Sequence, residues 1–152
     1  MQAATTQARK GYAIPMRAQA PNALEAITFE RDYPGTISQA QHVRADLAKL
    51  TGKCPIADDV VLLASELATN AILHSQSGSP DRAFTVRATL RPGEYARVEV
   101  IDQGGEWAAD EDDDEHGRGL AIVAIVAGTE RWGIHGDEGS RVAWFRLDWP
   151  KP

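Results

Sequence analysis

The sequence predicts an α+β fold, a two-layer sandwich in which a mostly antiparallel mixed sheet is covered on one face by three helices. Three observations carry that prediction. Apolar and polar residues alternate from Phe84 to Arg91 and again around Val98 and Val100, the period of half-buried strands. Three other segments space their apolar residues three and four apart, the period of a helix with one face on a core. The resulting order β, α, α, β, β, α, β, β is not the strict alternation that builds a parallel sheet.

A β-compatible edge run at residues 23–29 comes first, and Pro34-Gly35 can stop a strand and open a helix. Ile37, Ala40, Val43, Leu47 and Leu50 then stand at helical spacing, with Thr36 as N-cap and Gly52 as stop. After Pro55, residues 57–75 form the most apolar helical segment, and Asp58 near its start suits the helix dipole. The 84–91 strand and the strand through Val98 and Val100 are joined by the turn Pro92-Gly93, so they make an antiparallel hairpin with even-numbered residues on the core side. Gly104-Gly105 ends that hairpin, and an acidic stretch runs to Glu115. Leu120, Ile122, Val123, Ile125 and Val126 form a short apolar helix stopped by Gly128. Strands at 129–134 and 141–147 flank the turn at 136–139.

A length of 152 residues suits one domain, and 43% hydrophobic with 25% charged residues is an ordinary globular composition. Residues 1–22 read as a flexible tail, rich in Ala, Gln and Thr and carrying Arg9, Lys10 and Arg17 without an acid, so the folded unit is expected over 23–152. A net charge of −6 disfavours nucleic acid as a direct partner, because phosphate-backbone binding needs clustered positive charge. The single Cys54 excludes an internal disulfide, and neither a signal peptide nor a membrane-spanning stretch is seen. A cytoplasmic location is expected.

Three patterns stand apart from this ordinary background. On the apolar second helix Glu66, Asn70 and His74 recur at i, i+4 and i+8, so they share one stripe. That stripe is either a solvated outer face or a set of polar groups that meet a ligand or one another. Asp102 closes its strand on the core face of Val98 and Val100. It either caps the turn at Gly104 or accepts hydrogen bonds from a ligand's amine while the glycines let a flat ring approach. Gly117-Arg118-Gly119-Leu120 is either plain loop or a glycine turn that offers free N–H groups and a positive helix end to a phosphate. It matches neither a P-loop nor a dinucleotide fingerprint. The six acids from Asp110 to Glu115 read as a solvated loop.

In combination these motifs resemble the GHKL ATPases. Glu66-Leu-Ala-Thr-Asn70-Ala-Ile-Leu-His74 is similar to their N box, Asp102-Gln-Gly104 to their first glycine box and Gly117-Arg-Gly-Leu120 to their second. The Asn-Ala-x-x-His sequence and the closing Gly139-Ser140 before a strand most resemble the anti-sigma-factor serine kinases of the RsbW and SpoIIAB type. The resemblance implies a Bergerat ATP-binding fold and a site for ATP and Mg2+. Asn70 would hold the magnesium, and Glu66 would be the catalytic residue that orients or deprotonates the attacking hydroxyl. Asp102 would read the adenine amine beside Gly104. Gly117, Arg118, Gly119 and Leu120 would line the phosphates at the end of a mobile lid, and Ser140 would complete the nucleotide site. The implied partners are a sigma factor and a STAS-type anti-anti-sigma protein phosphorylated on serine or threonine. A homodimer is implied as well, with the apolar residues of the first helix and first strand as its surface. Two departures mark this chain. Its first glycine box continues as Gly104-Gly105, and Glu115-His116 stand where kinase members carry a basic residue. A module that binds ATP without transfer, and a detached histidine-kinase-like catalytic domain, are the alternatives.

Overall fold

The computed structural model describes residues 25–74, 78–79, 81–104, 114–128, 130–137 and 139–151, with the backbone alone at 114–118. The 1–22 tail and the acids from Asp110 to Asp113 lie outside the described residues. Along the chain the elements are β1 (Ile27–Pro34), α1 (Gln39–Thr51), α2 (Ala57–His74), β2 (Ala83–Arg91), β3 (Tyr95–Asp102), α3 (Asp114–Ala127), β4 (Trp132–Gly136) and β5 (Arg141–Asp148). The sheet order is β1-β2-β3-β5-β4, and every pairing is antiparallel. The expected α+β sandwich is present, without the parallel part of a mixed sheet among the described residues. Strand β5 returns between β3 and β4. The β3-α3-β4 crossover is thereby split, and α3 is brought beside the end of β3.

Even-numbered residues of β2 and β3 face the helices as the alternation requires: Phe84, Val86, Val98 and Val100 are all 1% exposed or less. They meet Leu63, Ala64, Leu67 and Ala68 of α2, with Phe145 of β5 and Val123 of α3 in the same cluster. Tyr33 ties the outer layer to this core. Its ring stacks on Phe84 at 5.4 Å, and its hydroxyl donates to Asp46 Oδ2 of α1 at 2.6 Å. Burial and that hydrogen bond hold the Tyr33 hydroxyl well above the usual tyrosine range.

Several boundaries differ from the sequence reading for visible reasons. Strand β1 continues to Pro34 because its charged residues are all paired: on the open side of the sheet Glu30 pairs with Arg87 at 2.6 Å and Asp32 accepts from Thr85 at 2.6 Å, while on the helix side Arg31 pairs with Asp46 of α1 at 2.7 Å. Helix α1 starts two residues late. Thr36 accepts the Gln39 N–H through its backbone oxygen at 2.9 Å, and the turn leaves Ile37 58% exposed instead of on the core stripe. Gly52 and Gly128 do end their helices, with φ of +54° and +93°, conformations that glycine adopts without strain. Strand β4 begins at Trp132 and extends to Gly136, later than expected at both ends.

Candidate functional site

Helix α2 runs through Ala57–His74 with Asp58 and Asp59 in its first turn, and seven apolar side chains are buried along it. The helical period then carries Glu66, Asn70 and His74 along a single stripe, and α3 lies on that stripe. A Cβ built on Gly119 would stand 3.0 Å from Glu66 Oε2 and 3.6 Å from Asn70 Oδ1. Glu66 and Asn70 therefore converge on Gly119, where a side chain would crowd the Glu66 carboxylate. The solvated-face alternative does not describe these two residues. Among the described residues Asn70 Nδ2 is buried without a hydrogen-bond partner, an arrangement that costs about 1–3 kcal/mol. Such groups are few in folded proteins.

Beside this contact lies an open cleft of about 310 Å³, lined by Glu66, Thr69, Asn70, His74 and Gly119 among others. On the other side of Asn70 a much smaller cavity of about 20 Å³ reaches toward the sheet, where Asp102, Leu120, Ile134 and Arg141 enclose it. Asn70 and His74 line both, so they stand at the junction of the two spaces.

Asp102 is the last residue of β3 and is 7% exposed. Its Oδ1 accepts the Gly104 N–H at 2.7 Å, the turn-capping role of an Asp-x-Gly sequence, and Gly104 takes the φ of +70° that this turn needs. The same oxygen lies 3.5 Å from Nε of Arg141. Burial pushes the Asp102 carboxyl upward from its ordinary 3.8, while the Gly104 N–H and the Arg141 guanidinium oppose that shift. Asp102 therefore caps its turn, and its carboxylate also lines the small cavity.

The glycine turn takes a different form from the one expected. Helix α3 begins at Asp114, so Gly117 and Gly119 lie within its first turns and do not precede it. The four leading N–H groups without a helical partner are those of the acidic start, upstream of the glycines. Leu120 is partly buried against the core. The Arg118 side chain lies outside the described residues. Ser140 sits in the exposed β4–β5 turn, where its N–H and that of Gly139 donate to Asp137 Oδ1 at 3.0 and 2.8 Å, apart from both cavities but adjoining Arg141.

Arg141, which lines the small cavity and pairs with Asp102, is a residue that sequence reasoning did not single out. A signal existed: counting back by twos from Leu147 and Phe145 through Ala143 puts it on the core face. What period-2 counting could not supply is its partner. The β3–β5 register sets Arg141 directly opposite Asp102.

Among the described residues no group of three or more His, Cys, Asp or Glu is placed to hold a metal, and no helix is long and apolar enough to cross a membrane. Residues 31–143 match the histidine kinase-like ATPase domain family. No curated protein matches the chain. The solved structure of the RsbU and RsbW domains of Rv1364c from Mycobacterium tuberculosis is similar at a TM-score of 0.61 and 22% identity, over 83% of this chain and 33% of that one. The chain thus spans about a third of that relative's length, and the likeness is one of fold.

Proposed function

The chain belongs to the histidine kinase-like ATPase domain family, and on that premise we propose that it binds ATP with magnesium and acts as an anti-sigma factor that phosphorylates an anti-anti-sigma partner. The observation that carries this reading is the convergence of Glu66 and Asn70 on Gly119, with Asn70 also bordering the cavity of Asp102. One carboxylate, one buried amide and one strand-end carboxylate in that sequence fit the general base, the metal end and the base end of a nucleotide.

The donor set fits magnesium arriving with the nucleotide. A hard cation of this kind takes one or two protein oxygens and fills its other positions with phosphate oxygens and water. Asn70 Oδ1 is the oxygen offered, and its unpartnered Nδ2 gains an acceptor when phosphate is present. Magnesium supplies neutralisation of the charge on the phosphates. Glu66 stands one helical turn away and accepts the proton of the attacking serine or threonine hydroxyl. Asp102 accepts from the adenine amine. Admission of a nucleotide requires the first turns of α3 to move, because a cavity of about 20 Å³ holds roughly one water whereas ligand pockets span hundreds of Å³. Gly117 and Gly119 weaken those turns by about 1 kcal/mol each relative to alanine.

Incubating the protein with γ-labelled MgATP and a purified STAS-type anti-anti-sigma protein tests the kinase. Glu66→Gln is expected to cut label transfer at least 100-fold while changing MgATP affinity less than threefold. Binding of ATP without any label on the partner would favour a regulator that performs no transfer, a reading supported by the acidic residues Asp114 and Glu115 that open α3. Label that is lost in acid would instead place the phosphate on histidine.

A further inference from the structure

Arg141, the ion-pair partner of Asp102, is the feature that the ATP reading leaves unused. Its two residues are direct cross-strand partners on the helix-covered face of the sheet, and their side chains are 8% and 11% exposed. Among the described residues the contacts of Asp102 fall on Oδ1, from the Gly104 N–H at 2.7 Å and Arg141 Nε at 3.5 Å, and Oδ2 is the oxygen offered to a ligand's donor. A guanidinium carries five N–H donors, more than one carboxylate can take up, and Arg141 itself lines the small cavity with Asp102, Asn70 and His74. A fixed acceptor thus stands beside a fixed donor in one enclosed space.

The geometry points to Arg141 as a base-reading residue of the nucleotide site: Asp102 accepts from the exocyclic amine of adenine while the Arg141 guanidinium donates to the neighbouring ring nitrogen N1. This rests on the proposed ATP binding and deepens it. The edge of adenine presents a donor and an acceptor side by side, and the Asp102–Arg141 pair is its complement. Arg141 cannot lose its proton in a protein, so the donor is permanent and a base with hydrogen at that ring position meets a repelling N–H.

The alternative is that the base displaces Arg141, and the strengths of the surrounding elements speak against it. Arg141 belongs to β5, which is hydrogen-bonded to β3 on one side and to β4 on the other. The opposite wall is Leu120, near the start of a helix that carries two glycines in its first six residues. The wall that yields to a base is therefore α3, and the pair on the sheet remains.

The test begins with the unmodified protein, by calorimetry with MgATP and with the analogue in which N1 is replaced by C–H. The analogue is expected to bind at least tenfold more weakly. Removal of Arg141 alone leaves a buried carboxylate, so the second protein is the double variant Asp102→Asn with Arg141→Met, which removes both charges; any loss at the amine is common to the two nucleotides and cancels in the ratio of their affinities. There the preference for ATP over the analogue is expected to fall below twofold, a coupling that a merely structural arginine would not show. Equal affinity of the unmodified protein for the two nucleotides, or tighter ATP binding after the double substitution, would overturn the assignment. If the unmodified protein binds no MgATP, the proposed function fails and this inference falls with it. A missing N1 preference in a protein that does bind ATP counts against Arg141 alone.

Discussion

Asp102 with Arg141 and Asp148 with Arg146 pair the same two residue types in one sheet, yet they lie in opposite electrostatic settings. The first pair faces the helices at 3.5 Å with side chains 8% and 11% exposed. The second lies on the open face at 2.8 Å with side chains 45% and 38% exposed. Burial raises the carboxyl of Asp102 despite its arginine, whereas the hydrogen bond from Arg146 lowers that of Asp148. Distance does not rank these pairs. Water screens the shorter contact, whereas burial makes the longer one consequential.

The same division runs through the rest of the sheet. On the open face Glu30, Arg87, Glu99 and Arg97 form a ladder of pairs between 2.6 and 3.5 Å, and Arg97 and Arg146 lie over the rings of Trp144 and Tyr95. Each group there has solvent to fall back on. On the helix side Asp102 has Arg141 and the Gly104 N–H, and Asn70 Nδ2 has no hydrogen-bond partner among the described residues.

The sharpest way to break this comparison is to remove one arginine from each pair. Arg141→Ala is expected to destabilise the protein by about 3 kcal/mol at pH 7, measured by urea denaturation, because it strands a buried carboxylate. That loss should depend on pH. With its arginine gone, the folded state holds the Asp102 proton more tightly than the unfolded chain does. The deficit is therefore full above the raised folded pKa and shrinks as pH falls toward the ordinary 3.8. A deficit that stayed constant down to pH 4 would show that lost packing, not charge, dominates.

Asn70 offers the next largest effect, with stability and function moving in opposite directions. Asn70→Leu removes the unpartnered buried amide and is expected to stabilise the fold by roughly 1 kcal/mol while abolishing measurable MgATP binding. A destabilised variant would mean that the amide has a structural partner after all.

Arg146→Ala should matter least, at about 0–1 kcal/mol and less in high salt. The depressed carboxyl of Asp148 gives stability that is present above its ordinary 3.8 and lost as pH falls through its lower folded value. The small deficit of this variant should accordingly disappear only below the range in which that of Arg141→Ala has already begun to shrink. Urea midpoints across pH for both variants would show the two windows in that order, and the reverse order would break the comparison.

Much of the site was legible in the sequence because it rests on local periods. A rise of 3.6 residues per turn puts Glu66, Asn70 and His74 on one stripe whatever they pack against, and the alternation of β3 assigns Asp102 to the core face whatever its neighbour. The late start of α1 was harder to read, because a backbone turn at Thr36 displaced the side-chain cap expected there. Gly117 and Gly119 misled for a related reason. Their low helix propensity suggests a turn, but the missing Cβ of Gly119 lets α3 lie against Glu66 and Asn70, and packing outweighs about 1 kcal/mol of propensity.

The sequence by itself therefore determined the layered α+β architecture, the polar stripe of α2 and the inward carboxylate at the end of β3, since each follows from periodicity along a single element. Tertiary structure alone decided that α3 covers the stripe and that Arg141 stands opposite Asp102. Both depend on β5 returning between β3 and β4, a pairing between residues some forty positions apart. Local propensity carries no information about such a register, which is fixed by the burial of whole faces against one another.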